Sequence, residues 1–290
     1  MTSATMLEPA SPAGPGSPAG PAPYRSTVTT GLSPARVARS EWIKLRTLRS
    51  TWITLGAIFA VLVAAGLFAA AATGSDSSSG AAQGPGLGGD PVSTVLTGAN
   101  LAVLVVAVLG AVIGAREHVS GMVRVTMAAV PSRLPVLWGR LIAFSAALVP
   151  VVVVGVLVAY VGGTAVLDAN GADTASFSDT GVARAVLGTA GYLFGIGLLG
   201  TALGTVLRST AGAIGVVIGG VLILPSLAGA LLPDSWSSVL QYLPSNAGTA
   251  FTQVSAGSDY LSPAVGACVF AAWVVVAVAG AAAALVRRDV

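Results

Sequence analysis

The sequence predicts an all-α integral membrane protein: six transmembrane helices, an amphipathic interfacial helix before them, and a short cytoplasmic helix in the loop after the second. Three observations predict it. Apolar residues make up 54% of the chain, charged residues only 9%, and mean hydropathy is +0.87, which does not describe a soluble domain. Six uncharged apolar runs each exceed the length needed to cross a hydrocarbon core of about 30 Å as a helix. The few charges collect between those runs, mostly on alternate sides.

The spans are expected at about 52–73, 92–115, 141–163, 185–207, 213–232 and 264–286, and none contains Asp, Glu, Lys, Arg or His. Helices satisfy their own backbone in lipid, so six uninterrupted runs read as six helices. The first run also follows a basic stretch and ends in small residues, as a signal peptide does. Its length, its start about fifty residues into the chain and the five runs after it favour a retained span. Residues 1–33 are rich in Pro, Ala, Gly and Ser, too poor in large apolar side chains to order themselves, and are expected to form a disordered cytoplasmic tail.

Arginine and lysine set the orientation. Six of them, from Arg25 to Arg49, precede span one; Arg116, Arg124, Arg133 and Arg140 lie between spans two and three; Arg208 follows span four; Arg287 and Arg288 follow span six. Only Arg184 falls on the other side, which instead carries seven aspartates. Both termini are therefore expected in the cytoplasm of a plasma-membrane protein. The pI near 9.4 follows from this asymmetry, and nucleic acid is not an expected partner because no basic soluble domain exists to bind it.

Residues 34–51 read as the interfacial helix. Pro34 suits a first turn, and Val37, Ala38, Trp42, Leu45, Leu48 and Trp52 share a face, with Lys44 and Arg46 mostly outside it. Glu41 projects from within the apolar stripe. A carboxylate there is either neutralised by a basic partner elsewhere in the cytoplasmic half or sits at the water boundary beside a neighbouring arginine.

The loop between spans two and three holds Arg116, Glu117 and the only histidine, His118, then Ser120-Gly121 as a break, and "MVRVTMAA" as a short helix up to Pro131. Arg133, Trp138 and Arg140 then lead back to the membrane. A short rigid helix held between two spans is something a soluble partner can push.

Catalytic and cofactor chemistry find little support. One cysteine, Cys268, excludes an internal disulfide and reads as a small buried apolar residue; with one histidine no Cys/His metal cluster can be built. "GIGLLG" at 195–200 lies inside a span without the preceding strand a dinucleotide site needs, and no phosphate loop occurs. The pairs Gly191/Gly195, Gly200/Gly204 and Gly215/Gly219 are instead small-xxx-small helix-packing faces, within one subunit or between two. Intramembrane ionisable groups, which ion-coupled carriers usually need, are absent from the spans.

Taken with "SEWIKLRTLRSTW" before span one, the loop pattern Arg116-Glu117, Gly121, Arg124, Pro131, Arg133, and "LPDSWSSVLQYLPSNAGTAF" between spans five and six, the chain from about residue 34 onward resembles the permease subunits of type-2 ATP-binding-cassette (ABC) transporters, mainly exporters. The resemblance implies that the amphipathic helix is an elbow, that the loop carries a coupling helix, and that short helices dip back from the outer side before span six. It implies docking of Glu117, Gly121, Arg124, Pro131 and Arg133 on a separate ATP-binding subunit, which would hold the ATP and Mg, and pairing with a second permease half as a homo- or heterodimer. The chain itself would bind no cofactor and carry no ATPase site. The same arginines could instead contact lipid phosphate. Met122 departs from the hydroxyl residue frequent after the glycine, and Arg140 from a frequent lysine. Two other classes fit the span count: an ATP-independent channel or secondary carrier, and a membrane anchor or sensor that moves nothing.

Overall fold

The computed structural model describes residues 34–73, 90–119, 134–255 and 260–287, with the backbone alone at Pro34, 117–119 and Asp234. The expected tail at 1–33 and the loop residues Gly121, Arg124, Pro131 and Arg133 lie outside the described residues, as does the side chain of Glu117. All regular structure among the described residues is helical: α1 (Pro34–Thr47), α2 (Arg49–Thr73), α3 (Pro91–Val95), α4 (Gly98–Val119), α5 (Leu134–Ala169), α6 (Val182–Leu207), α7 (Thr210–Gly215), a π segment (Val216–Ile223), α8 (Leu224–Leu231), a 3-10 turn (Asp234–Trp236), α9 (Ser237–Leu240), α10 (Pro244–Thr252) and α11 (Pro263–Arg287).

Six stretches are long and apolar enough to cross a membrane: Arg49–Thr73, Gly98–Arg116, Leu134–Ala169, Val182–Leu207, Thr210–Leu231 and Pro263–Arg287. The protein is thus a multi-pass integral membrane protein. Three spans differ from the apolar runs. The second is not continuous from residue 92: α3 ends at Val95, and α4 starts afresh at Gly98. A Cβ at Gly98 would collide with the Leu62 carbonyl of α2, so the break lets two backbones touch. The third begins at Leu134 rather than 141 and runs for 36 residues, or about 54 Å at 1.5 Å per residue, which exceeds a hydrocarbon core of about 30 Å.

The fifth span is α-helical only at its ends. Between them the backbone widens into π geometry, with the Leu224 N–H donating to the Gly219 carbonyl. Pro225 follows at once; it has no N–H to give the Val221 carbonyl, and its ring crowds that group. Widened turns before it accommodate both effects.

The centre of the bundle is the contact between α4 and α6. Small residues meet on both sides: a Cβ at Gly110 would strike the Gly197 carbonyl, one at Gly114 the Thr201 carbonyl, and one at Gly200 would lie 2.8 Å from the Ala107 oxygen. Around this seam lie Val106, Phe144, Leu148, Leu193 and Ile196, all fully buried. Close backbone approach of this kind replaces the hydrophobic drive that lipid does not supply. The fifth and sixth spans are the least buried. Cys268, expected inside, lies on an exposed face of α11, because that helix lends the bundle only one side.

The short helices between spans five and six are held by their own close contacts. Gly248 of α10 accepts the Tyr192 ring, and Gly266 of α11 lies under the Ala247 carbonyl and the Ala250 methyl of α10, each 2.7 Å from where its Cβ would be. Arg184 closes the far end: its guanidinium donates to the Val254 carbonyl at 2.8 Å and the Ala250 carbonyl at 3.4 Å. A cation on the last carbonyls of a helix is favourably placed.

Candidate functional site

The site begins with α1. Its buried stripe is Val37, Glu41 and Leu45, spaced by four, with Trp42 half-buried and Arg36, Arg39 and Arg46 exposed. The stripe lies on the first turns of α5, where Val37 meets Val136 and Gly139 brings the backbones together, its Cβ position being 3.2 Å from the Ala38 nitrogen. A bond from the Trp52 indole N–H to the Arg46 carbonyl, at 3.1 Å, braces the joint between α1 and α2.

Glu41 is therefore a carboxylate in the middle of a buried face, and its side chain is 8% exposed. Two cations answer it. Lys44, one turn along α1, donates from Nζ to Oε1 at 2.5 Å. Arg140 of α5, itself 6% exposed, places Nε 3.9 Å from Oε2. Glu41 thus combines parts of the two fates open to it in the sequence: it is buried rather than at the water boundary, its close partner is a neighbour on its own helix, a lysine rather than an arginine, and Arg140 from elsewhere in the chain lies farther off.

Arg140 continues the chain of contacts. Its Nη1 donates to the Gly114 carbonyl in the last part of α4 at 3.1 Å. The same carbonyl lies 3.5 Å from the Thr205 hydroxyl of α6, which also donates to the Thr201 carbonyl at 2.9 Å. Four helices, α1, α4, α5 and α6, thus converge on one buried polar cluster. Breaking a buried pair leaves an uncompensated charge, so the cluster fixes how α1 sits on the bundle.

The expected docking residues flank this cluster in the chain. Glu117 follows Gly114 by less than one turn of α4, and Arg133 immediately precedes α5. Of the glycine pairs, Gly200 and Gly204 face α4, with the Cβ position of Gly204 2.5 Å from the Ala111 carbonyl oxygen; Gly195 lies against the Phe270 ring of α11. Gly191, Gly215 and Gly219 face open space. Sequence reading missed Arg140 as the partner of Glu41, and missed Gly110/Gly114, whose spacing of four was a visible signal. Among the described residues no three His, Cys, Asp or Glu side chains come together as a metal site would require.

Comparison with protein-family models gives no match, and comparison with curated proteins gives none either. The fold alone defines the class: a six-span helical membrane protein with a short helix pinned across the start of its third span.

Proposed function

We propose that the chain is the membrane-spanning permease subunit of an ATP-driven ABC transporter, an exporter, forming the translocation path and taking its energy from a separate ATP-binding subunit on the cytoplasmic side. The observation that carries the reading is the convergence on Arg140. The connection 120–133 joins the end of α4 at Val119 to the start of α5 at Leu134, and Arg140, two turns into α5, links α5 to the Gly114 carbonyl of α4 and to Glu41 of α1. A push on the connection is therefore delivered to α1, α4 and α5 together, as a lever requires. The six spans, the basic residues gathered on one side and the short helices before span six support the same reading.

In this account Glu117, Gly121, Arg124, Pro131 and Arg133 form the dock, ATP and Mg sit on the partner, and a second permease half pairs through the little-buried fifth and sixth spans. Affinity purification of the tagged full chain from its own membranes tests it. A phosphate-loop ATPase should copurify, and Glu117→Ala and Gly121→Val should each release it while leaving the permease folded. Absence of any ATPase, or undiminished binding by both variants, would overturn the reading.

A further inference from the structure

A cavity of about 450 Å³ opens between the α3–α4 break, the middle of α6, the end of the π segment and α10, remote from α1 along the spans. Its volume is that of a site for a small organic molecule. No charged side chain is among its lining residues, which include both apolar and polar side chains. Val103 and Leu104 of α4 and Leu222 of the π segment supply apolar lining.

The rest of the lining is largely polar, and part of that polarity is unspent. Thr189 and Thr249 give their hydroxyls to carbonyls of their own helices. The Ser245 hydroxyl, in the first turn of α10, is buried without a partner. The side chains of Asn100, Tyr192, Ser226 and Gln253 share the cavity and are not taken up by hydrogen bonds among the described residues. Asn100, Ser226 and Gln253 are exposed and Tyr192 is half-buried, whereas the Ser245 hydroxyl is buried; an unpaired buried hydroxyl is costly, so the space favours a molecule that hydrogen-bonds to Ser245 and to the amides beside it. An ion would lose its hydration there with no counter-charge to replace it. A second cavity of about 390 Å³, lined by Ser226, Gln241 and Asn246, adjoins the first at Ser226 and continues its polar lining beneath α9.

We propose that the first cavity binds a neutral amphiphile, with its apolar body against α4 and the π segment and an uncharged hydroxyl- or amide-bearing head held by Asn100, Tyr192, Ser245 and Gln253. That such a molecule is the transported substrate rests on the permease reading; its binding does not.

The test uses the full chain in phosphatidylcholine nanodiscs with radiolabelled monodecanoylglycerol as probe. Binding should saturate at one probe per chain, and decanoate and decyltrimethylammonium should compete at least about tenfold more weakly than unlabelled probe. Asn100→Leu with Gln253→Leu should weaken binding about tenfold or more, the loss expected of two or more hydrogen bonds. Leu104→Trp, which fills the cavity from its apolar lining, should abolish it, while Leu101→Trp on the same helix outside the cavity should not. Should the double variant misfold, Leu104→Trp and the charged competitors still decide. Unsaturable binding, equal competition by the charged probes, or unchanged binding by Leu104→Trp would overturn the proposal and leave a cavity holding only water. Failure here with an ATPase still copurifying would spare the permease reading, and binding without any ATPase would spare the site alone.

Discussion

Glu41 and Arg140 carry the account at the scale of single residues. Both are nearly excluded from solvent, so losing one leaves the other's charge less fully compensated, at a cost approaching the about 3–5 kcal/mol of a broken buried pair. Glu41→Ala and Arg140→Ala should each destabilise the detergent-solubilised protein by that order, and a double-mutant cycle should show the two changes to be strongly non-additive; additive losses would mean the pair does not interact. Lys44 is more exposed, so Lys44→Ala should cost well under half as much. Arg184 was the one basic residue expected on the acidic side, and its place is structural: it holds the Ala250 carbonyl in the last turn of α10 and the Val254 carbonyl just beyond it. Arg184→Gln should cost about 1.5–3 kcal/mol, as for hydrogen bonds from a charged donor, and should speed amide exchange in 244–255 before it does so in α4 or α6. That Glu41 needed a partner was legible from its place in an apolar stripe. That the partner is Arg140 was not, because the pairing is made by the packing of α1 on α5 and by no local pattern.

Elements show the same division. The spans were readable because a membrane helix must be apolar throughout, and hydropathy measures that directly. The break at Leu96–Gly98 was not, since one uncharged Thr and one Gly lower hydropathy too briefly to interrupt an apolar run while the backbone turns. The π segment escaped for a related reason: its residues are as apolar as any other span, and only Pro225 after Gly219-Gly220 hinted at irregular backbone. The seam of α4 and α6 is the firmest element contact, and it separates glycines that pack inside the subunit from those that do not. Gly114→Leu should drive α4 off α6 and cost about 3 kcal/mol or more, since the clash is with backbone that cannot rotate away. Gly219→Leu, with nothing near its Cβ, should leave the isolated subunit's thermal midpoint nearly unchanged. Loss of a cross-linked dimer by Gly219→Leu alone would place a second subunit against span five; equal destabilisation by both variants would contradict the packing described here.

For the whole molecule, fold class and span count were legible in the chain, whereas the candidate site was legible only as a set of positions. Glu117, Gly121 and Arg124 are punctuation in a loop; the reason a push there could matter is Arg140, which links α5 to the Gly114 carbonyl of α4 and to Glu41 of α1. A permease without its own ATP site must work through such a linkage, and a channel or carrier need not. The decisive measurement is therefore ATP hydrolysis and solute movement in proteoliposomes holding this chain and its copurified ATPase, with Gly121→Val and Glu41→Ala compared to the native sequence. The account predicts that ATP turnover depends on the permease, that transport requires ATP, that Gly121→Val abolishes both by releasing the ATPase, and that Glu41→Ala keeps the ATPase bound but uncouples hydrolysis from transport. Solute passing through liposomes that contain this chain alone, or coupled transport undiminished in both variants, would contradict it.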